Sequence, residues 1–199
     1  MTTSQAGRVN QKRRTHAAIV KAAAELMLTG GEVTMPEIAK AALVSEATAY
    51  RYFPDLATLL SEAMAGSLPD PAEALSLVAA STDPVERVGA AAEHLVRYVL
   101  ARAGAVRAMI AATITRPETA TSRPGLRFGL IDHALRPWAD SGKADPEALV
   151  QLKRDLSVVV SAEALFSLLD LGGLDPEDAV ATIVHAATTL ARAALSSAG

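Results

Sequence analysis

Apolar residues recur three and four positions apart along almost the whole chain, and no stretch alternates apolar with polar side chains as a half-buried strand would. The spacing predicts an all-α protein. A first helix is expected over 11–28, where Ile19, Ala23, Leu26 and Met27 share a face, and Thr29-Gly30-Gly31 should stop it. Thr34 reads as the N-cap of a short second helix that carries Pro36 early and turns Ile38, Ala39 and Ala42 inward. After Leu43-Val44, Ser45 reads as the N-cap of a third helix that runs to Phe53, where Pro54 ends it. Six further helices follow in the pattern: 55–67, 71–80, 83–103 with a continuation over 105–115, 125–139, 146–171 and 176–197. Asp70-Pro71, Asp83-Pro84, Asp145-Pro146 and Asp175-Pro176 each place a capping carboxylate before a proline at a helix start, which is punctuation and not chemistry. The polar residues 1–10 are expected to form a disordered arm.

The second and third helices, of roughly eight residues each with about three between them, have the dimensions of a helix-turn-helix whose second helix enters a DNA major groove. Ala49 and Phe53 lie four apart and share a face with which Val44 and Ile38 can pack. Ala47, Thr48, Tyr50 and Arg51 lie off that face, with Tyr52 at its edge. A small Ala47 lets the backbone approach a groove, Thr48 suits a phosphate or a thymine methyl, and Arg51 suits guanine or phosphate. Composition sharpens this reading, because the chain holds three Phe, three Tyr and one Trp, and Tyr50, Tyr52 and Phe53 crowd into one helical turn. One ring is expected in the core and two hydroxyls at the DNA backbone.

Charge divides the chain as the helix pattern does. Residues 1–53 carry a net +3 and residues 54–199 a net −6, within a total of −3. A basic head on an acidic body is the footprint of a protein whose head alone meets a polyanion. The expected domains are therefore 1–53, an arm with a DNA-binding helix-turn-helix, and 54–199, a helical ligand-binding and dimerisation body. The absence of cysteine excludes disulfides, Cys-ligated zinc and thiol chemistry. No window approaches the roughly 18 uninterrupted apolar residues of a membrane span, and the first residues are polar and basic. A soluble, cytoplasmic protein with no membrane partner is expected.

The motif positions resemble a known family. Ile19-Val20, Ala22-Ala23, Glu25-Leu26-Met27, Gly31, Thr34, Ile38-Ala39, Ala42, Val44-Ser45, Thr48, Tyr50, Tyr52-Phe53 and Leu59-Leu60 are similar to the N-terminal domain of the TetR family of bacterial transcriptional regulators. The resemblance covers about residues 11–64. It implies a three-helix DNA-binding head, a helical ligand-binding body and a two-fold dimer that matches palindromic operator DNA. It also makes Thr34, Ser45, Thr48, Tyr50, Arg51 and Tyr52 the DNA-facing set, to which position adds Glu46 and Ala47.

Three departures from the family pattern bear on that set. Leu43 stands where the family usually has Gly, so it must accept a costly positive φ or tilt the turn. Glu46 places a carboxylate at the start of the recognition helix, where it suits the helix dipole but repels phosphate unless a cytosine donates to it. Leu56 replaces a common phosphate-binding Lys. Together these shift the load onto the arm, where Arg8, Lys12, Arg13, Arg14 and His16 supply most of the head's positive charge and can enter a minor groove or follow phosphates. A solvated tail is the alternative.

The last two helices of the pattern are long and broadly apolar. Leu152, Leu156, Val160 and Phe166 on one, with Ile183, Ala187, Leu190 and Ala194 on the other, are expected to face a second copy, which the resemblance implies as a four-helix dimer bundle. An intramolecular core is the alternative. The central helices mix apolar positions with His94, Tyr98, Met109, Phe128, His133 and Trp138, the candidate contacts for a small-molecule effector in a cavity between helices. No cofactor is implied. The four histidines are scattered without an i, i+4 pair, and H-E-x-x-H, nucleophile-elbow and phosphate-loop signatures are absent, which argues against an enzyme. The favoured function is a ligand-released repressor; the competing readings are a helical binding or dimerisation protein with a degenerate head, and a small helical enzyme.

Overall fold

The computed structural model describes residues 3–66, 68–115 and 125–197, and every regular element among them is helical. The order is α1 (Thr3–Met27), α2 (Met35–Ala41), α3 (Glu46–Tyr52), α4 (Leu56–Ala65), α5 (Pro71–Ala74) with a 3₁₀ turn at Ser76–Val78, α6 (Pro84–Leu100), α7 (Ala103–Thr115), α8 (Leu126–Asp140), α9 (Pro146–Val159), α10 (Ala162–Asp170) and α11 (Pro176–Ser197). Asp70, Asp83 and Asp145 accept backbone N–H bonds from Ala72, Val85 and Ala148 at 2.7, 2.9 and 2.8 Å, as the Asp-Pro pattern predicts.

Three expected spans change. The arm is helical from Thr3, because Gln, Lys and Arg are good helix formers and Gly7 alone does not stop the run; residues 1 and 2 lie outside the described part. The expected helix over 71–80 ends at Ala74, and the chain tightens into the 3₁₀ turn as Leu75 enters the core. The expected helix over 146–171 is two helices. Val160 leaves helical geometry at φ −85° and ψ 73°, and Ser161, with extended backbone, caps α10 by accepting from Ala164 N at 3.1 Å. Three consecutive β-branched residues, Val158 to Val160, weaken the helix just before a residue able to start a new one.

The chain forms two compact units. One contains α1–α4 and α7; the other contains α5, α6 and α8–α11. Packing therefore groups α4 and α7 with the three N-terminal helices, whereas the 53/54 boundary follows the reading role of α1–α3. In the first unit Ile19, Ala23 and Met27 of α1 meet Ile38, Ala49, Phe53, Leu59, Leu60 and Met109 in a core from which water is excluded. Each such large side chain contributes about 1.5–3 kcal/mol of burial free energy. Gly104, in the first turn of α7, lies directly on the backbone of Gly31 in the α1–α2 loop; a β-carbon there would overlap the Gly31 carbonyl.

In the second unit α6 is central, with α11 on one side and α8 on another. Gly89 lets α11 approach closely, since a β-carbon there would stand 3.1 Å from the Thr188 methyl. At the far end Arg97 donates to both carboxylate oxygens of Glu177 at 3.0 Å and to Glu93 at 2.9 Å. On the α8 side, Arg87 is only 3% exposed and donates to four backbone carbonyls: Ala134 at 2.9 Å, His133 at 3.0 Å, Val78 at 2.7 Å and Ser81 at 3.4 Å. Pro137 explains its placement. A proline inside α8 has no N–H to give the carbonyl four residues back, which is that of His133, and Arg87 supplies the missing donor.

The apolar stripes of α9–α11 mostly face inward. Leu152, Leu156, Val160, Phe166, Ile183 and Ala187, expected at a dimer interface, are buried inside the single chain, because α11 packs on α6 as well as on α9 and α10. Only Leu190 and Ala194 of that set keep accessible surface.

Candidate nucleic-acid interface

The turn between α2 and α3 decides how the second helix is presented. The Val44 N–H reaches the Ala39 carbonyl at 3.0 Å and the Leu43 N–H reaches that of Lys40 at 3.1 Å, a Schellman closure whose left-handed residue is Leu43 at φ 56°. Of the two outcomes open to Leu43, the positive φ is the one adopted. Its side chain is 92% exposed. Thr34 starts α2 with a full capping box: its hydroxyl donates to Glu37 Oε2 at 2.9 Å, its N–H donates to the same oxygen at 3.1 Å, and Glu37 N donates back at 3.5 Å.

Ser45 caps α3 in the same way, accepting from Thr48 N at 3.2 Å, while the Ser45 and Thr48 hydroxyls lie 2.9 Å apart. Ala49 and Phe53 are buried and lock α3 to the core. Glu46, Ala47, Tyr50 and Arg51 are exposed on the opposite side, and Tyr52 and Thr48 are half-buried at the margin. The Arg51 guanidinium stands over the Tyr52 ring at 5.7 Å. The aromatic crowd thus divides by role, with Phe53 inward, Tyr50 outward and Tyr52 between them. The structure brings Ser45, Glu46, Ala47, Thr48, Tyr50, Arg51 and Tyr52 onto one short helix and its cap; Thr34 stands apart at the start of α2.

Lys12, Arg13 and Arg14 are exposed on α1. Being helical, these consecutive residues fan out by about 100° each, which suits phosphates spread along a backbone rather than one groove floor. Arg8 lies on α1, but its side chain is outside the described residues. His16 is not part of a charged arm. It is half-buried, its ring 4.8 Å from that of Phe53 and 6.2 Å from that of Tyr52, with Nε2 3.5 Å from Glu62 of α4.

The family model for bacterial regulatory proteins of the tetR type matches residues 19–63, the span from α1 into α4. A solved TetR transcriptional regulator from Rhodococcus sp. RHA1 is similar over 90% of this chain and 97% of its own, at 25% identity and a TM-score of 0.59. Residues 19–63 form a DNA-binding domain of the TetR type. RolR, solved in complex with resorcinol, shares the fold at 20% identity and a TM-score of 0.52, over 93% of this chain and 95% of its own. No curated protein matches the chain. The chain thus joins a TetR-type helix-turn-helix head to a helical body, as its solved TetR neighbour from Rhodococcus does in fold.

In that body His94 and Tyr98 stand one turn apart on α6, on one face. The His94 Nε2 is shielded from solvent and has no hydrogen-bond partner, and the Tyr98 hydroxyl oxygen is shielded as well. Burial pushes the His94 pKa below its ordinary value, so the ring favours its neutral form. His133 is also pushed down, first by burial and then by the charges of Arg136 and Arg87, with Asp70 opposing. Trp138 is in the core of the second unit. Phe128 is 51% exposed, with the Arg127 guanidinium 5.0 Å from its ring centre. Met109 belongs to the first unit, where its sulfur accepts from the Ser61 hydroxyl at 3.8 Å. Among the described residues no three His, Asp or Glu side chains gather as a metal site. Two contacts escaped the sequence. Arg87 could have been suspected from Pro137 within a helical pattern, whereas nothing local points His16 at Glu62.

Proposed function

We propose that this chain is a homodimeric repressor of the TetR type that binds palindromic operator DNA and leaves it when a small molecule enters the body. The observation that carries the DNA-reading half is the orientation of α3: Ala49 and Phe53 clamp it, while Glu46, Ala47, Tyr50 and Arg51 project together from the opposite side. Ser45 and Thr48 act chiefly by holding the helix start, since each already engages the other. Arg51 and Tyr50 read or grip, and Lys12, Arg13 and Arg14 add sequence-independent affinity.

The effector half is supported by His94, whose unmatched Nε2 on α6 is a costly group to bury without a partner. Dimerisation is supported by α11. Pro176–Ser196 has the length and mean hydropathy, 1.2, of a membrane-crossing helix, yet only 28% of it is buried in one chain. Its inner face is committed to α6, so a second copy laid along Leu190 and Ala194 accounts for the remainder.

Selection of duplexes from a randomised pool, followed by fluorescence anisotropy at two salt concentrations, tests the reading. The expected result is a palindromic site from which Arg51→Ala loses about 1–3 kcal/mol, with Thr48→Ala losing less. The degenerate-head reading has its own support in the strained Leu43 and in the Glu46 carboxylate at the head of α3. Weak binding that is indifferent to sequence and lost at high salt would favour it.

A further inference from the structure

His16 lies where three helices of the first unit meet. Its ring covers Phe53 at 4.8 Å with the planes 34° apart, meets Tyr52 edge-on at 6.2 Å, and presents Nε2 to Glu62 at 3.5 Å. Phe53 and Tyr52 close the recognition helix α3, Glu62 lies in α4, and His16 itself is on α1. The His16 ring meets both aromatic residues at the end of α3. Protonating His16 changes both sides of this junction in the same direction. The imidazolium becomes the cation of an ion pair with Glu62, and its charge is attracted to the face of Phe53.

We propose that His16 and Glu62 are positioning residues for the recognition helix, and that proton uptake by His16 tightens the end of α3 against α1 and α4 and strengthens the grip on DNA. The inference rests on the DNA-reading role of α3. The charged and titratable groups around His16 are Glu62 on α4, Tyr52 with its stacked Arg51 on α3, and Lys12 and Arg13 one turn back on α1. Lys12, Arg13 and Arg51 carry positive charge, and Glu62 is the acid that faces the ring. The half-buried Tyr52, between core and surface, is the side chain through which the change reaches the DNA.

The test is operator affinity from pH 5.5 to 8 for the full chain, His16→Gln and Glu62→Gln, with the Tyr52 ring signals followed by NMR in the DNA-free protein over the same range. Affinity is expected to rise several-fold toward low pH in the parent and to flatten in both variants, while the Tyr52 signals shift with His16 only when Glu62 is present. A pH response retained by Glu62→Gln overturns the positioning role, because an imidazolium acting merely as one more positive charge near phosphate would not need Glu62. Specific binding absent at every pH defeats the DNA-reading role of α3 and this inference with it. Tyr52 signals that ignore His16 overturn the inference alone, leaving the DNA-reading role standing.

Discussion

At the scale of single residues the TetR-type head carries an avoidable strain. Leu43 holds φ 56°, a region that costs an L side chain roughly 1–2 kcal/mol, and its exposed side chain recovers little by burial. Leu43→Gly is expected to stabilise the protein by about 0.5–1 kcal/mol after glycine's extra unfolded-chain entropy, read as a Tm rise of roughly 1–3 °C. Leu43→Val should lower the Tm. The sequence foresaw the alternatives at this position but not the choice, since the Schellman bonds to Ala39 and Lys40 decide it. Arg87 gives a second prediction. Arg87→Met should cost about 3 kcal/mol or more by stranding several buried carbonyls, measured by urea unfolding. In Pro137→Ala the backbone can satisfy His133 by itself, so the double mutant should lose less than the sum of the two single changes. Titration supplies a third. His94 and His133 both bind a proton less readily folded than unfolded, so the unfolded chain takes up more protons as acid is added. Stability is therefore complete above the ordinary histidine value of 6.5 and declines as pH falls through the depressed folded values. His94→Gln should make that acid limb shallower in thermal unfolding from pH 8 to 5.

At the scale of elements, helix starts were legible and helix ends less so. Thr34, Ser45, Asp70, Asp83 and Asp145 all cap where the pattern put them, because a cap is a local bond between residues two or three apart. Breaks inside apolar runs depend on distant neighbours. Val158-Val159-Val160 continues a helical pattern on paper, yet burying both Val160 and Ser161 turns the backbone at that point. Ser161→Ala should remove a buried cap, costing about 1 kcal/mol, and the loss should appear as faster amide exchange in the first turn of α10. The two glycines at the junction of α7 and the α1–α2 loop make a paired prediction. Gly104→Ala should destabilise by about 1–3 kcal/mol through overlap with the Gly31 carbonyl. Gly31→Ala should be far milder, since the nearest atom to its new β-carbon would be the Thr29 hydroxyl at 3.6 Å.

For the whole molecule, the all-α architecture was readable because helical periodicity is a property of neighbours in sequence. Which apolar stripe serves the chain and which serves a partner was not, because that depends on how many helices share each face. Leu152, Leu156 and Ile183 went to the interior, while Leu171 stands 87% exposed and Leu190 stays accessible. Leu190→Glu is expected to weaken self-association at least 100-fold in sedimentation velocity while leaving the helical circular dichroism signal intact. A monomeric parent protein at high micromolar concentration would defeat the dimer reading. The Arg97–Glu177 link has a further meaning when the chain is considered as it is made. These residues are 80 positions apart, and α11 is the principal cover of α6. At a synthesis rate of about 5–20 residues per second, α6 waits roughly 4–16 s for its cover. During that interval the apolar side of the nascent helix is open to chaperones and to other unfinished copies, so a premature stop before residue 176 yields an adhesive fragment and not a smaller working protein.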